Sequence, residues 1–378
     1  MSADVPYEAI PSGWYVVAEG RELAKGAVKE LRCFGRDLVL YRTASGEPRL
    51  VDAYCPHLGA HLGDGRVVDE SLRCPFHGFE FGSEGRCVRT PYPGGRPPAK
   101  ARLESLPLRE NGGFLLAWYD RDGRAPWFET PDLELEGWTG FAVHGFHFRG
   151  HPQEVSENSV DLGHFGPVHA YARAEVVDDA VVEGHVLRAR YAVVRALDFI
   201  GLPGEARLAF SAEVHGLGLS MVRAEVKKVG VDVRLLVLPT PIEVDQVHLR
   251  VAVAMKKTPV PALTWLVHKI LLRAYVHDVG FDVPIWARKR YVAAPILAHG
   301  DGPIPLYRRY VQQFYPPRRI ALDVAVHIDA PPGPRATYAS AVVAAIGFFL
   351  PVPPLWLFAV LLLVGTAIAI WAATEAEH

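Results

Sequence analysis

Two short segments that mirror each other constrain this chain more than anything else in its 378 residues. Cys55-Pro56-His57 is followed, sixteen residues on, by Cys74-Pro75-Phe76-His77. In plain form the pattern is C-x-H…C-x-x-H. Each half runs on into a glycine, in Leu58-Gly59 and in Gly78-Phe79. Two thiolates and two imidazoles fit a [2Fe–2S] centre in which two His replace two Cys on one iron. Soft thiolates hold ferric iron in sulfide clusters, and neutral imidazole donors raise the potential. The competing ion is zinc, but zinc sites usually keep the two Cys together and the two His together. Here Cys and His alternate in two matching loops, which favours the cluster.

Residues 12–120 read as short strands between Gly- and Pro-rich turns, with β-type runs at 14–17, 38–41 and 113–118. Residues 91–98 form a loop dense in Pro and Gly, and 120–140 reads as an acidic linker. From 141 the pattern is mixed. Alternating runs over 181–256, such as 231–235 and 247–251, predict an antiparallel sheet with one buried face. Residues 261–292 read as a helix with apolar positions at Leu263, Leu266, Val267, Ile270, Leu271 and Tyr275.

A net charge of −2 leaves no basic field to draw nucleic acid. Four cysteines are few, and Cys33 and Cys87 could pair only in an oxidising compartment. The N-terminus lacks the basic and apolar regions of a secretory signal. At the other end, 338–350 is apolar or small, Pro351, Pro353 and Pro354 interrupt it, and 355–373 runs without a charge. About 20 apolar residues span a bilayer as a helix. A membrane anchor at 338–373 is therefore expected, as one span or a hairpin. Arg318, Arg319 and Arg335 precede it while only Glu375, Glu377 and His378 follow, which puts the catalytic part in the cytoplasm.

A second motif decides what the electrons of a cluster would do. Residues 157–169 read Glu157-Asn158-Ser159-Val160-Asp161-Leu162-Gly163-His164-Phe165-Gly166-Pro167-Val168-His169. Two His and one carboxylate form the facial triad of non-haem Fe(II) oxygenases, with positions left open for O₂ and substrate. His164 and His169 supply the pair, with Asn158 and Asp161 at helical spacing before it. The third ligand is expected far downstream, at Asp278, Asp282 or Asp301.

Residues 50–90 resemble the Rieske domain of ring-hydroxylating and steroid oxygenases. Respiratory-type Rieske proteins carry an extra Cys in each loop, where this chain has Ala60 and Phe76. The segment 157–169 resembles the N-x-x-D-x-x-H-x(4)-H motif of Rieske oxygenases. The resemblance implies that Asp161 bridges a cluster His of one subunit and an iron His of its neighbour, and hence a homotrimer. A carboxylate that hydrogen-bonds a metal-binding His in this way also fixes its tautomer. Around Asp282-Val283-Pro284-Ile285-Trp286, Lys289-Arg290-Tyr291 and Asp301-Gly302-Pro303-Ile304 the chain is similar to steroid Rieske oxygenases, which implies that Asp282 is the third iron ligand.

Over residues 12–315 the resemblance is nearest to cholesterol 7-desaturases of the Neverland type and to 3-ketosteroid 9α-hydroxylases. It implies oxidation of a sterol ring system with O₂ and NAD(P)H-derived electrons. With no G-x-G-x-x-G fingerprint after a strand and no further Cys set, the reductase must be another protein. The helix region 263–275, which mixes Trp265 with His268, Lys269 and Arg273, reads as a substrate mouth, a membrane-facing surface or a half-buried core helix. A membrane-bound Rieske electron carrier is the non-enzymatic alternative, against which the facial triad argues. The expected architecture is α+β: an all-β Rieske domain at 12–120, a mononuclear iron domain at 141–320 with an antiparallel sheet and helices in a helix-grip-like arrangement, and transmembrane segments at 338–373.

Overall fold

The computed structural model describes residues 9–133, 135–196, 205–226 and 231–315. The N-terminal unit holds three small antiparallel sheets. One runs in the order β2 (Val28–Cys33), β3 (Arg36–Arg42), β4 (Pro48–Asp52), β9 (Ser105–Leu106). A second runs β5 (Arg66–Val68), β6 (Ser71–Arg73), β7 (Glu80–Phe81), β8 (Cys87–Arg89). The third is β1 (Gly13–Glu19), β11 (Phe114–Tyr119), β10 (Leu108–Asn111).

That third sheet is the seam of the molecule. β1 and β11 are continuous apolar runs because both of their faces are covered. Trp14, Val16, Leu116 and Trp118 pack into the core shared with the C-terminal sheet. Tyr15, Val17, Leu115 and Ala117 pack the other way, against Leu38 and Leu40 of β3. The stretch 120–140 has no strand or helix among its described residues, yet it is no free tether. Phe128 and Leu133 are buried in the shared core, and the Trp14 indole N–H donates to the Phe128 carbonyl at 2.8 Å.

The C-terminal unit is one seven-stranded antiparallel sheet with helices. The strands are β12 (Ala142–Arg149), β13 (Arg173–Glu183), β14 (Val186–Ala196), β15 (Glu205–His215), β16 (Leu219–Val226), β17 (Val231–Glu243) and β18 (Gln246–Met255). Their order is β12-β18-β17-β16-β15-β14-β13, so a chain segment leaves the sheet at one edge and re-enters it at the other. That segment carries α1 (Pro152–Glu157) and α2 (Phe165–His169). α3 (Pro261–Trp286) lies over β12 and β18, where Val155, Leu249, Val251, Val279 and Trp286 form one core. α4 (Ile304–Tyr310) closes the shared core.

Two expectations change here. The sheet was expected to bury one face, but β18 is buried almost throughout. α3 covers Leu249 and Val251, while Arg250, on the opposite face, donates to the Val16 and Val17 carbonyls of β1 at 2.9 and 3.2 Å. The helix expected to 292 ends at Trp286, just after Pro284, whose ring removes a helical donor.

The expectation of transmembrane segments and of a membrane-anchored protein with a cytoplasmic catalytic part is corrected. Among the described residues no helix is long and apolar enough to cross a membrane. α3 has the length, but Lys269, Arg273, Asp278 and Asp282 break its apolar surface. The segment 338–373 lies outside the described residues. What stands is a Rieske-like β-unit followed by a sheet-and-helix unit. All four cysteines are free, and Cys33 is buried, which pushes its thiol up to about 12.

Candidate iron sites

The two cluster loops are structural copies. The Cys55 N–H donates to the Ala60 carbonyl at 2.9 Å, and the Cys74 N–H donates to the Phe79 carbonyl at 2.8 Å. Each Cys carbonyl in turn accepts from a glycine, Gly59 at 2.9 Å and Gly78 at 3.2 Å. Both glycines sit at positive φ, +76° and +66°, a conformation that costs a residue with a Cβ and not glycine. This is why each Cys–His unit is followed by glycine in the sequence.

Cys55 and Cys74 are buried at the roots of the loops, in one core with Leu62, Leu72 and Phe79. His57 and His77 stand nearer the surface with ring centroids 4.7 Å apart. Nδ1 of His57 is buried and has no hydrogen-bond partner, as expected of a nitrogen reserved for a metal. Burial pushes the Cys55 thiol up to about 11, with the neighbouring Cys74 thiol adding to the rise, so metal must displace a proton there. Two buried thiols and two imidazoles at adjacent loop tips fit a [2Fe–2S] cluster. Leu58 and Phe76 project outward beside the histidines, 66% and 63% exposed.

The second site is built differently. Its donors come from a helix–turn–helix segment and from a helix more than a hundred residues later. His151 opens α1, its ring nitrogen accepting from the Gln153 N–H, and Pro152 holds the first helical position. α1 ends at Asn158, whose side-chain oxygen accepts from the Trp286 indole N–H of α3 at 3.4 Å. The chain turns through Gly163, and α2 runs from Phe165 to His169. His164 and His169 flank this single turn, with ring centroids 5.1 Å apart.

His164, His169 and Asp282 present ligand atoms that all lie within 4.8 Å of one another, and among the described residues they are the group of this kind. Nε2 of His169 is 3.5 Å from the Asp282 carboxylate, while Nδ1 is 3.3 Å from Asp278. Burial works against charge on His169, but the two carboxylates outweigh it and lift the imidazole to about 9 in the metal-free protein. His164 gives its Nδ1 hydrogen to the Asp161 backbone carbonyl at 2.7 Å, which leaves Nε2 free. The Asp161 carboxylate accepts from the His164 backbone N–H at 3.3 Å and lies 3.7 Å from the ring. Burial opposes ionisation of Asp161, yet the contacts with His164 hold its carboxyl below the usual range. Asp301 stands apart: its side chain accepts from the Ala298 N–H, and its backbone carbonyl receives the Leu162 N–H. Two imidazoles and one carboxylate suit ferrous iron.

Beside the triad is a cavity of about 190 Å³, walled by Phe165, Val193, Leu208, Phe210, Val222 and Leu235 among others. α3 lines it with Tyr275, Asp278, Val279, Asp282 and Trp286. The expected mouth at 263–275 is therefore met only at its last residue. His268, on the earlier part of the helix, is tied to the sheet through the Val253 carbonyl at 2.9 Å. Sequence reasoning also missed what props α1 from behind. Arg308 of α4 donates to Glu157 at 2.8 Å, and Lys289 pairs with Glu154 and sits 3.8 Å from Glu157. The spacing Glu154-x-x-Glu157 marks one buried acidic face, but its cationic partners are too distant in sequence to be read from it.

Paired Cys–His loops on a β-unit, joined to a two-His, one-carboxylate pocket beneath an antiparallel sheet, define a Rieske non-haem iron oxygenase. The Rieske [2Fe-2S] domain model matches residues 13–107, and the model of the 3-ketosteroid 9α-hydroxylase C-terminal domain matches 117–315. Cholesterol 7-desaturase of Caenorhabditis elegans is 31% identical over 348 residues, covering 82% of this chain and 78% of that one. The oxygenase component of 3-ketosteroid-9-alpha-monooxygenase from Rhodococcus rhodochrous is 30% identical over 319 residues, covering 80% and 82%. Apo dicamba monooxygenase shares the fold at a TM-score of 0.63 and 20% identity, covering 82% of this chain and 98% of that one. The chain belongs to the family of steroid Rieske oxygenases that includes these 3-ketosteroid 9α-hydroxylases and cholesterol 7-desaturases. It is an oxidoreductase whose cofactors are a [2Fe–2S] cluster and a mononuclear iron, working with a separate reductase.

Proposed function

We propose that this chain oxidises the ring system of a sterol, with 7,8-desaturation of cholesterol as the reaction. The observation that carries this reading is the cavity: apolar side chains from four strands face the three candidate ligands across it. Burial of a flat hydrocarbon against such a wall is worth roughly 25 cal/mol per Å², and a few polar groups then fix which carbon faces the metal. The cholesterol 7-desaturases among its relatives support that substrate class. Hydroxylation of a 3-ketosteroid at C9 is the second reading, supported by the family model over 117–315. Oxidation of a sterol methyl group is the third.

In this proposal Cys55, His57, Cys74 and His77 hold the cluster, within a domain at 12–120. His164, His169 and Asp282 hold the mononuclear iron, within a domain at 141–320. The cluster would deliver electrons one at a time, and the ferrous site would activate O₂ for attack on a C–H bond. Asn158 holds the end of α1 against α3 through Trp286, so the motif keeps its aim. Asp161 is the bridge between a cluster histidine and His164, and the working assembly is a homotrimer. The exposed apolar side chains of Leu58 and Phe76 beside the cluster histidines support a neighbour seated there.

The test is to supply the reduced enzyme with a reductase, NADH and O₂, and to offer cholesterol, a 3-ketosteroid and a 4-methylsterol in parallel. Mass spectrometry should show loss of two hydrogens from the cholesterol ring. Oxidation of a small aromatic acid, with all three steroids untouched, would overturn the substrate class.

A further inference from the structure

α3 carries two carboxylates one turn apart, Asp278 and Asp282, on the face turned to α2. Both lie against one imidazole. His169 points Nε2 toward Asp282 at 3.5 Å and Nδ1 toward Asp278 at 3.3 Å. Only Asp282 falls within 4.8 Å of both histidines' ligand atoms. A neutral imidazole has one nitrogen that donates and one that binds metal, and the partner of the donor selects which is which. We infer that Asp278 is a positioning residue: it takes the Nδ1 hydrogen of His169 and so commits Nε2 to the ion shared with His164 and Asp282. The inference rests on the iron site proposed above.

Nδ1 of His169 is buried and makes no aligned hydrogen bond; Asp278 offers the near acceptor. The last torsion of an aspartate is soft, so a small turn of the carboxylate completes the bond. His164 is held in another way, by the neutral backbone carbonyl of Asp161 at 2.7 Å. The two histidines of one ion thus have unlike supports. A carboxylate behind an imidazole raises its basicity and fixes the ring; a carbonyl fixes the ring alone. Asp278 is also partly open to solvent, with 43% of its side chain exposed, so it serves this role without needing a buried counter-charge.

The test uses the full chain with its cluster in place and the mononuclear site emptied. Co(II) is titrated in and followed by its visible spectrum, and the ferrous form is examined by EPR of its nitric oxide adduct. Asp278→Ala should weaken Co(II) binding about 10–100-fold and alter the nitric oxide signal, while the cluster spectrum stays that of wild type. Asp278→Asn, which keeps an acceptor oxygen, should recover most of both. Asp282→Ala should bind no Co(II) at all. Wild-type affinity and an unchanged nitric oxide signal in Asp278→Ala would overturn the inference. Loss of all binding in Asp278→Ala, with Asp282→Ala still loading, would instead show that the third ligand itself had been misassigned.

Discussion

The cluster loops and the mononuclear pocket solve opposite problems with overlapping side chains. The loops place their histidines near the surface, each loop closed within six residues by its own backbone hydrogen bonds. The pocket takes its ligands from α2 and α3, whose sequence separation is 113 between His169 and Asp282, and it buries two of the three. One site is a local fold repeated; the other exists only when a sheet, two helices and a buried ion network are assembled. An electron port must be reachable by a reductase. A site that oxidises a C–H bond must keep bulk water away from it.

The comparison breaks outright if the two sites are not separable. Cys55→Ser should abolish the visible and EPR signature of the reduced cluster, and turnover with it. His164→Ala should keep that signature and lose turnover completely. Zinc without acid-labile sulfide in the purified wild type would end the two-site account.

A smaller effect probes the proposed bridge between the sites. Asp161→Asn keeps the shape and removes the charge beside His164. Both metals should still load, but electron transfer from cluster to mononuclear iron should slow on the order of 10–100-fold. Rapid-mixing spectroscopy of cluster reoxidation in the presence of substrate measures it. A wild-type rate would show that Asp161 is not the bridge.

Spread over several pH units, and only about tenfold in each, is the effect of pH. The carboxylates of Asp278 and Asp282 lift the metal-free His169 from the ordinary value near 6.5 to about 9 against the pull of burial. Below about 9 an incoming ion must therefore displace a proton. Its apparent affinity should climb about tenfold per pH unit toward 9 and level off above it. Co(II) titrations from pH 6.5 upward follow this directly, and a flat profile would show that His169 is not the protonated group.

How much of each region can be read in the sequence follows the same contrast. The cluster ligands lie within 23 residues, and the positive φ of Gly59 and Gly78 leaves a visible glycine in each loop. His164 and His169 are likewise legible, because α2 is a single turn. The third ligand could be narrowed from the residues alone only to Asp278, Asp282 and Asp301, and it was the resemblance that singled out Asp282. Distance along the chain carries no geometry, and it took the packing of Trp286 on Asn158 to bring α3 over α1. The buried ion pair of Arg308 with Glu157 was invisible for the same reason. The two-sided burial of β18 was missed because β1, its cover on one side, lies 234 positions earlier, counted from Arg250 to the Val16 carbonyl it binds.

The most direct test of the whole account is a single turnover. The cluster is reduced chemically, the reductase is left out, and the protein is mixed with cholesterol and O₂. The account predicts that ring-oxidised sterol appears as the reduced-cluster signal disappears, and that His164→Ala gives none. Reoxidation of the wild-type cluster with no change in cholesterol or in a 3-ketosteroid would contradict it.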